Sequence, residues 1–401
     1  MPPANRCECF CPAPIGLSTP DPPSLHPARG TCYPAPVSDR TELVQARRLV
    51  VKIGSRSLAG DNELIPRLAS EIAELRAAQR SVVVVSSGAI ALGVGRLGYR
   101  TRPKEIARLQ AAAAAGQSVL MRRYDEALGA LGLTAAQVLL THADLADRER
   151  LNNAREAFAA LLEAGAVPIV NENDTVATEE LRRVGFGDND QLASMVVPLI
   201  GADALLLLTD VEGVLDGEGR RISVLGIGDS FGELGERRER VGTGGIQSKV
   251  DAARKASRSG AAVVIAAATR PGVLRDVFAG HDVGTFFPRT GTLLRARKHW
   301  IAYTLRPRGA LLLDSGAAHA VRVGKSSLLP IGVIGVRGEF NPGDAVALVG
   351  PDGVEVGRGL TRLGALDAAR SAGKKGSELE LLFGEANDLV VVHRDDLVVI
   401  D

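Results

Sequence analysis

Between residues 48 and 267 the sequence alternates short apolar runs with helix-length segments, and this alternation limits the fold more than any other feature. The runs occupy residues 48–53, 82–85, 137–140, 167–170, 205–208 and 261–267. Continuous apolar runs of this length read as strands covered on both faces. Helices are expected over 62–79, 104–131 and 155–164, the second with an alanine stretch at 111–115 that permits tight packing. Strands and helices joined by short loops predict an open, mostly parallel sheet sandwiched by helices.

Polar residues gather where the runs end: Gly54 and Ser55, Ser87 and Gly88, Asn171 to Asp174, Thr209 and Asp210. In an open α/β sheet these C-terminal strand ends share one edge, where ligands bind. The stretch 170–190 is the densest, with carboxylates and amides at both its ends. Asp188 or Asn189 is placed to cap a helix over 192–200. Lys52 sits near the end of a buried strand, which is costly unless it meets an anion. The glycine-rich turn at 241–249 opens a helix that runs through Ser257, offering free N–H groups and a positive dipole end to phosphate. Lys249 in its first turn adds a mobile charge. Two distant lysines, this turn and small residues at strand ends make a phosphoryl-transfer kit, with Asp190 available to hold the lysines. The six histidines are scattered and supply no general base. A carboxylate acceptor is already ionised near pH 7 and needs none.

Other features exclude alternatives. The net charge of +1 gives no global field for nucleic acid or anionic lipid. No apolar run approaches the roughly 18 residues of a membrane span. All four cysteines lie in the first 32 residues, and residues 1–36 hold ten of the twenty prolines. Residues 1–46 read as a disordered tail, with a start near Val37 as the alternative, and their cysteines do not complete a usual zinc pattern. A folded part without cysteine suits a reducing cytoplasm and excludes a cysteine nucleophile. Residues 93–98 match G-x-G-x-x-G but begin several residues past the strand end, so the dinucleotide turn is missing. Gly324-Lys325-Ser326 mimics the end of a phosphate loop, but the required first glycine is His319. Residues 289–308 carry six basic residues and no acid, and read as a linker. From 309 to 401 short apolar runs alternate with Gly and Pro, as in a small β-rich domain. That segment holds nine Lys/Arg against thirteen Asp/Glu, a net of −4, so RNA binding is not expected.

The motifs V-V-K-I-G-S (50–55), V-S-S-G-A-I (85–90), N-E-N-D-T-V-A (171–177), G-D-N-D (187–190), L-L-L-T-D-V-E-G (206–213) and G-T-G-G-I-Q-S-K (242–249) resemble the glutamate 5-kinase family of the amino-acid kinase superfamily. The C-terminal part resembles its PUA domain. The resemblance implies a catalytic domain over 47–288 and a PUA-like domain over 309–401. It implies ATP with Mg²⁺ as cofactors, L-glutamate as acceptor, and no metal-ligating residue. Lys52, Asp190 and Lys249 are then the catalytic set. Lys52, Thr209, Asp210, Thr243, Gly244, Gly245, Ile246, Gln247, Ser248 and Lys249 contact ATP, and Ser87, Asp174 and Asn189 contact glutamate, with an Asn189 amide that can donate to a carboxylate. It further implies proline as feedback inhibitor sensed by residues 178–187, a homo-oligomer, and hand-over of product to glutamate-5-semialdehyde dehydrogenase. Relatives acting on aspartate, N-acetylglutamate or nucleoside monophosphates would share the sheet and lysines but not this pair of acidic motifs. An RNA-binding or RNA-modifying factor built on the PUA domain is the rival of another class.

Overall fold

The computed structural model describes residues 40–177, 189–226, 229, 245–290, 298, 300–323, 326–384 and 389–400. The expected tail up to residue 39 and the expected sensor loop 178–187 lie outside these. A seven-stranded sheet has the order β3-β4-β2-β1-β5-β6-β7. Its strands are β1 Arg48–Ile53, β2 Ser81–Ser86, β3 Ala135–Leu140, β4 Val167–Glu172, β5 Ala204–Thr209, β6 Ala262–Ala267 and β7 Thr285–Phe287. Every pairing is parallel except β6 with β7. The helices are α1 Thr41–Gln45, α2 Ser55–Gly60, α3 Leu64–Ala77, α4 Ala89–Arg96, α5 Ile106–Gly129, α6 His142–Ala146, α7 Arg148–Glu163, α8 Asn189–Ile200, α9 Ile246–Arg258 and α10 Val273–Phe278. The predicted open sheet is therefore present, with β7 as an added edge too short to show a period.

Side-chain parity decides what each face carries. Leu49, Val51 and Ile53 pack with α3, α5 and α10 on one face. Val50, Val83, Val85, Leu205 and Leu207 pack with α8 and α9 on the other. Lys52 shares the parity of Val50, so it points to the face whose two helices begin near Asp190 and Lys249. Each fully buried Val or Leu contributes about 1.5–3 kcal/mol, and this apolar mass is what forces a lysine in its midst to find an anion. The chain leaves β1 for β2 on one side and later returns to β5 on the other, so the crevice opens at the end of β1.

The glycines of the discarded G-x-G-x-x-G belong to a helix crossing. A Cβ on Gly93 of α4 would lie 1.7 Å from the Ala112 carbonyl oxygen, and one on Gly116 of α5 would lie 1.7 Å from that of Ala89. The crossing fixes the start of α4, where Gly88 adopts φ +100 and turns the chain out of β2.

Three boundaries differ from expectation. The tail does not extend to residue 46: α1 buries Leu43, and the buried Arg40 donates to the carbonyls of Val283 at 2.7 Å and His281 at 3.0 Å and pairs with Asp282 at 2.7 Å. The basic linker contains a π-helical turn, Trp300–Thr304, whose Ile301 and Ala302 are buried against Val398. The C-terminal domain mixes helices α11 Ser315–Val323, α12 Ala365–Ser371 and α13 Ser377–Phe383 with five strands, β8 Gly309–Leu313, β9 Val333–Gly338, β10 Ala345–Val349, β11 Glu355–Thr361 and β12 Val392–Val399, in the order β12-β11-β10-β8-β9. Of the apolar stretches at 389–392 and 397–400, the first only leads into β12 at Val392 and the second forms its end, and β12 is bulged opposite β11.

Gly93→Ala should lower unfolding stability by about 2 kcal/mol or more through overpacking. Gly95→Ala in the same helix meets nothing within 4 Å and should raise stability by up to about 1 kcal/mol, both read by urea titration. Asp282 is held at about 2, down from 3.8, first by the hydrogen bond from Arg221 and with further help from Ser223 and Arg40. A depressed carboxyl adds stability above its unfolded value and loses it as pH falls through the folded one. The stability gap between wild type and Asp282→Asn should thus be full above about pH 4 and close near about pH 2.

Candidate active site

Asp190, in the first turn of α8, is 0% exposed, and Lys52 on β1 is 2% exposed. Lys52 Nζ lies 2.5 Å from Asp190 Oδ1, and Lys249 Nζ, from the first turn of α9, donates to Oδ2 at 2.9 Å. One carboxylate therefore bridges two ammonium groups through its two oxygens. Removing it would leave two like charges at buried positions, a loss of about 3–5 kcal/mol for a buried ion pair.

A cavity of about 310 Å³ opens over the two lysines. Its walls are the strand ends: Gly54 and Ser55 after β1, Ser87 and Gly88 after β2, Asn171, Glu172 and Asp174 at β4, Thr209 and Asp210 at β5. The polar clusters singled out in the sequence thus meet in one place. Thr209 donates to Asp210 at 3.0 Å, and Asp210 pairs with Arg56 at 2.9 Å. Ser87 Oγ is buried and has no hydrogen-bond partner among the described residues, so it is available to a ligand.

Behind the wall runs a chain of buried amides and hydroxyls. Gln117 accepts from Asn171 at 2.8 Å, and Asn171 Oδ1 accepts from Asn189 Nδ2 at 2.8 Å and from the Glu172 backbone at 2.9 Å. Asn189 Nδ2 also donates to the Ser86 carbonyl, and the Ser86 hydroxyl bonds Tyr124 at 3.0 Å. Burial pushes the Tyr124 phenol up, keeping it protonated. A carbonyl can only accept, so the Asn189 nitrogen must face Ser86. Both its N–H groups are thereby used. The expectation that Asn189 donates to a carboxylate is corrected: its side chain offers a ligand only Oδ1.

Lys52, Ser87, Asp174, Asn189, Thr209, Asp210 and Lys249 all line the cavity, with Asp190 directly behind the lysines. Gly245, Ile246, Gln247 and Ser248 form the start of α9 and do not line it. Gly245 caps that helix without any side-chain bond, and Gln247 turns back to Asp251 at 2.9 Å. Thr243 and Gly244 lie outside the described residues, as does Asp188, while Asn189 is the first residue of α8 rather than its cap. Arg56 and Arg102, which sequence reasoning missed, also line the cavity. Arg56 follows the singled-out Gly54-Ser55 by one residue; nothing in the sequence marks Arg102.

A model of the amino acid kinase family matches residues 47–267, and one of the PUA domain matches residues 309–382. The chain is 46% identical over 383 residues to the glutamate 5-kinase of Myxococcus xanthus, across 90% of this chain and 98% of that protein. It is 44% identical over 374 residues to the glutamate 5-kinase of Streptomyces coelicolor, across 90% and 98%. It is 43% identical over 371 residues to that of Cupriavidus metallidurans, across 89% and 99%.

The cavity wall makes an energetic contrast measurable. Ser87→Ala removes an unsatisfied hydroxyl and should leave the unfolding midpoint in urea unchanged or raised. Asn171→Ala strands the Asn189 amide and the Glu172 N–H and should cost about 2–3 kcal/mol.

Proposed function

Since the chain belongs to the glutamate 5-kinase family, we propose that its cavity transfers the γ-phosphoryl group of ATP to the γ-carboxylate of L-glutamate. The products are γ-glutamyl phosphate and ADP, the opening step of proline biosynthesis. The observation that carries this reading is the Lys52–Asp190–Lys249 bridge at the base of the cavity.

The acceptor carboxylate is ionised at neutral pH, so a carboxylate oxygen attacks phosphorus and the ADP oxygen leaves without any base. What the protein must supply is alignment and positive charge. Lys52 and Lys249 approach from two directions and meet the charge that spreads over the transferring group and the leaving oxygen. Asp190 is a positioning residue: it holds both ammonium groups on one carboxylate. The N–H groups at the open start of α9, with Thr209 and Asp210, suit the nucleotide. Asp174 and the Asn189 Oδ1 suit the ammonium of glutamate, and Ser87 Oγ its polar atoms. Mg²⁺ fits as an ion carried by the nucleotide. The described carboxylates near the phosphates are already engaged, Asp190 by two lysines and Asp210 by Arg56, and no cluster of three or more His, Cys, Asp or Glu among the described residues is placed to hold a metal. When bound, it would neutralise phosphate charge.

The catalytic domain is assigned to residues 40–288, taking in the buried Arg40 and Leu43, and the PUA-like domain to 309–401, the latter serving assembly or regulation rather than RNA binding. Proline is assigned as a feedback inhibitor relieved by glutamate. Activity indifferent to millimolar proline would refute that. A homo-oligomer that passes its product to glutamate-5-semialdehyde dehydrogenase completes the reading. No described helix is long and apolar enough to cross a membrane.

Lys52→Ala and Lys249→Ala should each lower kcat by a factor on the order of 10²–10³, the effect of one well-placed donor. Initial rates of ADP release at saturating glutamate and ATP test this. Near-normal turnover in either variant would remove that lysine from the transfer step.

A further inference from the structure

The cavity lining contains a second acid–base set, drawn from elements other than the lysine bridge. Arg102 lies in the segment between α4 and α5 and lines the cavity together with Ser87, Gly88 and Asp174. Partial burial pushes its guanidinium down, and the Asp174 carboxylate acts against this. Arg102 is exposed, and an exposed charge contributes little to folding, so its place in the cavity lining calls for a functional account.

The proposed acceptor supplies a reason. When its γ-carboxylate faces the phosphoryl group, its far end is a zwitterion, an ammonium and a second carboxylate on one carbon. An acid alone matches only half of that head. A guanidinium in the same cavity lining offers a planar fork that fits a carboxylate through two hydrogen bonds. We propose that Arg102 is a specificity-determining residue that binds the α-carboxylate of the acceptor while Asp174 binds its α-ammonium. The zwitterion carries no net charge, so its binding leaves the charge of this end of the cavity unchanged. The inference rests on the acceptor reading above and adds a residue and a chemical basis for recognising an α-amino acid.

Two analogues separate the two halves of the head. Glutarate keeps both carboxylates and lacks the ammonium; 4-aminobutyrate keeps the ammonium and lacks the α-carboxylate. Each is measured as a competitive inhibitor against glutamate. Arg102→Leu should raise the KM for glutamate and the Ki for glutarate together, by about 10- to 100-fold, the weight of a hydrogen-bonded charge. The Ki for 4-aminobutyrate and the KM for ATP should stay within about twofold, since neither ligand meets the fork. Arg102→Lys should retain part of the glutamate affinity. Asp174→Asn should give the reciprocal pattern, weakening 4-aminobutyrate and sparing glutarate. An Arg102→Leu enzyme with unchanged glutamate KM, or one that weakens both analogues equally, overturns the proposal. A wild-type enzyme that does not phosphorylate glutamate overturns the acceptor reading instead.

Discussion

One buried carboxylate holds two buried lysines, and the rest of the catalytic domain is arranged to make that possible. Lys52 is planted in the central strand among valines and leucines, where an ammonium without an anion would be too costly to keep. Asp190 and Lys249 come from the first turns of α8 and α9, the two helices that cover the same face of the sheet. The bridge is therefore a meeting of three elements, fixed by sheet parity and by two helix starts. As a unit it carries more positive than negative charge, which suits a site that must receive a nucleotide and a dicarboxylic amino acid.

The sheet order explains why the proposed acceptor and nucleotide sides adjoin. β1 lies between β2 and β5, so the polar ends of β2 and β4 stand on one side of Lys52 and the end of β5 stands on the other. The first side carries Ser87, Asp174, Asn189 and Arg102. The second carries Thr209, Asp210 and the approach to α9. The amide chain from Gln117 through Asn171 to Asn189 stiffens the first side, and the α4–α5 crossing sets where Ser87 and Gly88 end up.

Much of this was legible because burial on both faces leaves a plain signature. β1 to β6 are runs of Val, Leu, Ile and Ala, and a lysine inside such a run announces a partner. The α9 start was legible through its glycines. Other features depend on contacts that sequence spacing does not encode. β11 was missed because Gly357 and Gly359 lower its strand propensity, yet a Cβ on Gly359 would lie 2.3 Å from Val392 Cγ1. The Trp300–Thr304 turn was hidden in a basic stretch that composition reads as linker, and α1 in the margin of a proline-rich tail. The bonding of Asn189 could not be read either, since its partners come from residues 86 and 171. Arg102 follows no strand end, so only the folded chain brings it to the cavity.

Because Asp190 is the shared counterion, the most direct measurement is turnover of Asp190→Asn at saturating ATP and glutamate, made on protein shown by circular dichroism to be folded. The side chain keeps its size and loses its charge, so the lysines lose the group that holds them together. Turnover should fall by a factor on the order of 10²–10³ or more, with both Michaelis constants within about tenfold of wild type. A folded Asp190→Asn enzyme with turnover within about threefold of wild type would contradict the central role of the bridge.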